Sequence, residues 1–268
     1  MLLLEHPLSP YAQKVRIALR EKGLAFETRT PDGLGAGNAT GQQSIGTVRG
    51  EVPVLIVPEG RIFDSTIILE FIEQSWPEPR LLPQEPFACA KARMIEDVMD
   101  THYEAINWGL IEILFFGRAE GTLKDEMVSA AGQQLVGFNG WLEDQLEPSG
   151  WFNGPQFGWA DLCVVPYVNC SKMLGFPPPP NSRLEAWLDM ANKRPSVAET
   201  EREAQASVPQ GGAFKEALHT QKWRREYRDH RLEWMIKSGG LSIVLDGLEQ
   251  NNIRFSVESI AGGGAGSD

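Results

Sequence analysis

The order in which strand and helix periodicities alternate over residues 2–72 constrains the fold more than any other feature of the chain. Leu2, Leu3 and Leu4 form a short apolar run that stops at His6-Pro7-Leu8-Ser9-Pro10, as a central strand should. Ser9 before Pro10 reads as a helix start, with the serine as N-cap and the proline at the first helical position. Tyr11, Val15, Ala18 and Leu19 then recur at helical spacing. Gly23 stands where a left-handed residue would end the helix. Residues 26–30 alternate apolar and polar side chains, which predicts a half-buried strand. A strand–helix–strand opening favours a parallel pair joined by a right-handed crossover.

Residues 31–50 contain six glycines and few large apolar side chains, and read as a mobile loop with at most one helical turn. A strand entered through a proline follows over residues 51–57, and Pro58-Glu59-Gly60 turns the chain into a second strand at Arg61-Ile62-Phe63. Asp64-Ser65-Thr66 caps a helix that carries Ile67, Ile68, Phe71 and Ile72 on its apolar side.

Composition excludes several classes of function. With a net charge of -11 and a pI near 5.0, the chain repels phosphate backbones, so no nucleic-acid partner is expected. Cys89, Cys163 and Cys170 are odd in number and scattered without a CxxC pair. They argue against a disulfide framework and a metal site, and for a reducing compartment. The first residues lack a positive flank, and nowhere do 18 uncharged apolar residues follow one another, so neither a signal peptide nor a membrane span is expected. A cytoplasmic protein of 268 residues, enough for two small cores, is the resulting expectation.

Three motifs add a resemblance. Ser9-Pro10-Tyr11-Ala12-Gln13-Lys14-Val15-Arg16, Gly50-Glu51-Val52-Pro53-Val54-Leu55 and Asp64-Ser65 followed by Ile67 resemble the cytosolic glutathione transferases, in a serine-type omega-, tau- or zeta-like bacterial branch. The resemblance covers roughly residues 1–205 and is strongest over the first eighty. It implies a thioredoxin-like α/β domain followed by an all-α domain, and a homodimer without a metal. It also implies a cis bond between Val52 and Pro53, with the Val52 backbone pairing with the cysteinyl part of glutathione. Asp64 and Ser65 would hold the γ-glutamyl end, where a helix N-terminus offers free N–H groups to a carboxylate. Ser9 would donate a hydrogen bond to the glutathione sulfur and stabilise its thiolate, the nucleophilic form. Two departures stand out. Branches with cysteine at the Ser9 position carry out thiol-disulfide chemistry, and here that nucleophile is missing. Several branches place a lysine before Val-Pro to hold the glycine carboxylate. This chain has Glu51, which would repel it and leaves Arg49 as a candidate substitute.

Pro77, Pro79, Pro83 and Pro86 mark a linker. A long helical pattern runs from Ala88 to about Phe116, and a second one from Met127 to Leu146. Gly158 and Asp161 resemble the family's helical capping box with its Ser or Thr replaced, so half of the reciprocal bonding is lost. A further helix carries Leu184, Trp187, Leu188 and Ala191 and ends before Arg194-Pro195. Where this region faces Ser9, an apolar second-substrate pocket would draw on Tyr11, Tyr103, Trp108, Phe115 and Phe116. Each of these also fits core packing, which periodicity alone favours, and His102 reads as a hydrogen-bonded core histidine. Residues 222–231 combine five basic side chains with Trp223 and Tyr227. A solvated helix with internal ion pairs is favoured over an anion-binding surface. The apolar stretches at 234–236 and 241–248 are expected to pack on the body of the protein, on another subunit or over the substrate site.

The expected organisation is a glutathione-binding domain at 1–78, an all-helical domain at 86–205, a helical extension at 206–256 and a glycine-rich tail without fixed structure at 257–268. The expected activity is a glutathione transferase joining glutathione, its co-substrate, to a small hydrophobic electrophile. The alternatives are a non-catalytic carrier or interaction protein of the same fold, and a glutathione-dependent reductase or ether-cleaving enzyme.

Overall fold

A computed structural model describes residues 1–35, 45–208, 216 and 224–255. Four strands, β1 (Leu2–Leu4), β2 (Glu27–Arg29), β3 (Val54–Val57) and β4 (Gly60–Phe63), form one sheet in the order β2-β1-β3-β4. β1 runs parallel to β2, with Leu3 opposite Thr28, and antiparallel to β3, with Leu3 opposite Leu55. β2 was expected to be half buried, yet Glu27, Thr28 and Arg29 are all exposed. It is an edge strand, and its register spends the apolar residue of that segment, Phe26, outside the ladder.

Helix α1 (Pro10–Glu21) starts at the Ser9 cap, and helix α2 (Ser65–Ser75) starts at the Asp64 cap. Past the linker, α3 (Pro86–Val98) and α4 (Glu104–Leu114) form one long run interrupted by a π-helical turn at Met99–Tyr103. Helices α5 (Gly121–Gln145), α6 (Trp159–Met173), α7 (Arg183–Asn192) and α8 (Pro195–Ala206) complete the helical domain. The whole is a thioredoxin-like sheet followed by a helical domain, with an apolar core continuous from Leu3 and Leu55 through Ile95 and Leu110 to Trp187.

Buried charge joins the two parts. The fully buried Lys14 of α1 donates to Glu96 Oε1 at 2.6 Å and to Asp100 Oδ2 at 2.5 Å. Trp159 Nε1 and Thr66 Oγ1 also donate to Glu96, and the Tyr167 hydroxyl donates to Asp100. Burial alone would lower the Lys14 pKa, but the two carboxylates outweigh it and hold the ammonium charged.

The half of the capping box that a glycine at position 158 can keep is present. Asp161 accepts from Gly158 N at 3.1 Å, from Phe152 N at 3.0 Å and from Trp187 Nε1 at 2.8 Å. The Leu81 carbonyl accepts from Trp159 N at 2.9 Å. A Cβ at position 158 would lie 2.1 Å from the Asn153 side chain and 2.5 Å from the Leu81 oxygen, so glycine is required there.

Beyond α8, the chain is more than helical. A parallel pair of two-residue strands, β5 (Arg225–Glu226) and β6 (Ile253–Arg254), closes a strap that contains α9 (Asp229–Lys237) and α10 (Leu241–Glu249). The Trp234 indole lies on Gly109 of α4, and its Nε1 donates to Gln134 at 2.9 Å. The expected tail at 257–268 lies outside the described residues. Among the described residues, no helix is long and apolar enough to cross a membrane.

Candidate active site

Two cavities share Tyr11 as a common wall, one of about 230 Å³ and one of about 800 Å³. The smaller brings Arg49, Glu51, Val52, Pro53, Asp64 and Ser65 together. The Val52–Pro53 bond is cis, as the motif implied. Asp64 adopts φ 74°, a left-handed conformation that non-glycine residues rarely hold, while capping α2. Its Oδ1 accepts from Thr66 N at 3.0 Å, and its Oδ2 accepts from Arg49 Nη1, also at 3.0 Å. Arg49 spans both acids of this wall, because its Nε stands 2.9 Å from Glu51 Oε2. Glu51 itself is not a simple anion. Burial and the facing carboxyl of Glu226 push it up to about 7, against the pull of Arg228 and Arg49.

The larger cavity holds Ser9, with Trp108, Phe115 and Phe116 among its apolar lining. The Ser9 oxygen accepts from Ala12 N at a long 3.4 Å, so its own proton stays available to a ligand. Tyr11, by contrast, already donates its hydroxyl to the Asp100 carbonyl at 2.8 Å. Burial, reinforced by the nearby Glu104 charge, pushes that phenol well above its ordinary range. Cys170 also borders this cavity, and burial pushes its thiol up to about 12, far from a thiolate at neutral pH.

The strap roofs both spaces. Arg225 and Arg231 border the larger cavity, and Arg228, Asp229 and His230 border the smaller. The solvated helix expected at 222–231 is therefore corrected over its described residues. Glu104 and Glu112 are buried in α4 and need cations. Arg231 Nη2 meets Glu104 Oε1 at 2.6 Å, and Arg225 pairs with Glu112. Burial would raise the Glu104 carboxyl, but Arg231 and His230 outweigh it and hold it down to about 2.

Two sequence expectations fail here. Tyr103 lines neither cavity. It is fully buried and bonded to Asn139 and Ser171, each at 3.0 Å, because the π turn directs it into the helical core. His102 is exposed and stacked on Phe138, where core burial was expected. Sequence reasoning in turn missed Asp100 and Thr101 of the π turn, and the whole strap contribution. The signal present was the three-residue spacing of Arg225, Arg228 and Arg231.

Comparison with known proteins follows the same division. A family model described as the glutathione S-transferase N-terminal domain matches residues 3–80. A probable glutathione S-transferase GSTU1 of Oryza sativa subsp. japonica is 30% identical over 179 residues, covering 63% of this chain and 72% of the relative. A glutathione S-transferase of Pseudomonas putida is 29% identical over 226 residues, covering 80% of this chain and 96% of the relative. A rice transferase solved in complex with glutathione superposes with a TM-score of 0.61 at 27% identity, covering 80% of this chain and 96% of that one.

Proposed function

The chain belongs to the glutathione S-transferase family, and from that premise we propose that it activates the thiol of glutathione as a thiolate for attack on a small apolar electrophile. The observation that carries the reading is the meeting of two unlike cavities at Tyr11. One is polar and ends at a capped helix N-terminus, and the other is apolar and holds Ser9.

In this reading the γ-glutamyl carboxylate takes the N-terminus of α2 at Ser65, where the helix dipole favours an anion and the N–H groups of Thr66 and Ile67 are already capped by Asp64. Asp64 complements the ammonium group. The cysteinyl backbone lies against Val52 and Pro53, and its sulfur passes Tyr11 towards Ser9. There the Ser9 hydroxyl donates to the sulfur, and the N-terminus of α1 adds positive potential. The thiol proton leaves to solvent, and the sulfur lone pair forms the new carbon–sulfur bond. An electrophile with a leaving group expels it, and an activated double bond takes up a proton instead. Tyr11 is the poorer donor because its proton is already committed to Asp100. A reductase mechanism is disfavoured, since the cysteine at this cavity, Cys170, is held as a neutral thiol.

A carrier reading draws support from one observation, that Ser9 is also the cap of α1. Ser9→Ala separates the two. An enzyme of the proposed kind loses about 10²-fold in kcat, the worth of one donor to a developing anion, with little change in glutathione affinity. Steady-state kinetics with an aryl halide acceptor would read this, and full activity in the variant would refute the role given to Ser9.

A further inference from the structure

We propose that Arg228, carried by the C-terminal strap, is a binding residue of the smaller cavity and takes the glycine carboxylate of glutathione. This rests on the glutathione reading above and extends it to a part of the chain outside the matched N-terminal domain.

Arginines 225, 228 and 231 are spaced by three residues, yet they end in different situations. Arg225 pairs with Glu112 and Arg231 with Glu104, and both guanidinium groups also lie over the Trp108 ring, at 5.6 and 5.3 Å from its centroid. Arg228 instead lies 5.9 Å from the Tyr11 ring centroid on the wall of the smaller cavity. Among the described residues its side chain makes no hydrogen bond or ion pair. A partly buried cation in that state calls for an anion.

The surrounding acids are already answered. Asp64 has Arg49, Glu51 shares that same arginine, and Glu226 has Arg254 at 3.2 Å. Glu51 Oε1 is buried with no donor and faces Glu226, an arrangement that requires a proton between the two carboxyls. Arg228 is then the guanidinium on this wall with no carboxylate at ion-pair distance among the described residues, which leaves room for one. Glutathione brings two. The γ-glutamyl carboxylate goes to Ser65 in the reading above, and Arg228 lies in the field of Glu51, the residue before Val52, so the glycine carboxylate is the one left for it.

Calorimetry on the full chain tests the assignment, using glutathione and its glycine ethyl ester as paired probes. Wild type is expected to favour glutathione over the ester by about tenfold or more, the worth of a charge-assisted hydrogen bond. Arg228→Gln should bind the two alike, and Arg228→Lys should recover part of the preference. Trypsin resistance of the strap in each variant checks that it remains docked. Retention of the full preference in Arg228→Gln would overturn the assignment, as would an equal loss of affinity for both probes. Failure of the wild type to bind either probe would overturn the glutathione reading itself, and this inference with it.

Discussion

A glutamate at position 51 is, on charge alone, a poor neighbour for an anionic ligand. The fold alters its protonation and leaves it in place: burial and Glu226 bring its carboxyl up to about 7, so it holds its proton below neutrality and loses it above. The folded value lies above the ordinary carboxylate value of about 4.3. The contribution of this contact is therefore fully present below about pH 4 and is lost as pH rises through about 7. Raising the pH from 6 to 8 should weaken glutathione binding several-fold and expose the strap to protease, while Glu51→Gln should give a flat profile over that range. A wild-type profile as flat as the variant's would contradict the account of Glu51. At this scale, residues whose roles are local were legible in the sequence. Ser9 and Asp64 cap helices because short side-chain oxygens before a helical run do so, wherever the rest of the chain goes. Tyr103 was not legible, because a helical stripe looks the same whether it faces a cavity or the core, and a single π turn decides between them.

Among the elements, the strap departs furthest from what periodicity suggests. Its cations look solvated in sequence because their partners, Glu104 and Glu112, lie more than a hundred residues away. Its position is fixed by shape as well as charge. A Cβ at Gly109 would stand 2.0 Å from the Trp234 ring, which is backed by α5 through Gln134. Gly109→Ala should therefore displace α9, with an expected loss of about 1–3 kcal/mol measured by urea denaturation. Glutathione affinity should fall with it, because Arg228 leads directly into that helix. An unchanged denaturation midpoint and affinity would show that the strap is not seated by this contact. The described helices of the first eighty residues, in contrast, start where their capping side chains were read, whereas the strand expected from residue 51 begins only at Val54, past the cis-proline.

The whole molecule leaves an apolar surface unaccounted for by a single chain. Ile67 of α2 and Phe87 and Met94 of α3 are 56%, 76% and 63% exposed. Patches of this kind mark association surfaces. We propose that two copies pair through it, and light scattering should find a dimer that Phe87→Asp with Met94→Asp converts to monomer. A monomeric wild type would contradict that assembly. Family and fold were legible because motifs carry them. The second substrate was not, because the larger cavity is assembled from the β1–α1 turn, α4, α6, α8 and the strap, and no local stretch of sequence encodes its shape.

Everything proposed for this protein depends on glutathione binding in the smaller cavity at the N-terminus of α2. Titration calorimetry of the purified chain against glutathione, with Asp64→Ala/Ser65→Ala alongside, tests it most directly. Saturable binding is expected for the wild type, with a loss of about two orders of magnitude or more in the double variant, as charge-assisted contacts at a helix terminus are removed. Equal binding by the two proteins, or none by the wild type at millimolar glutathione, would contradict it.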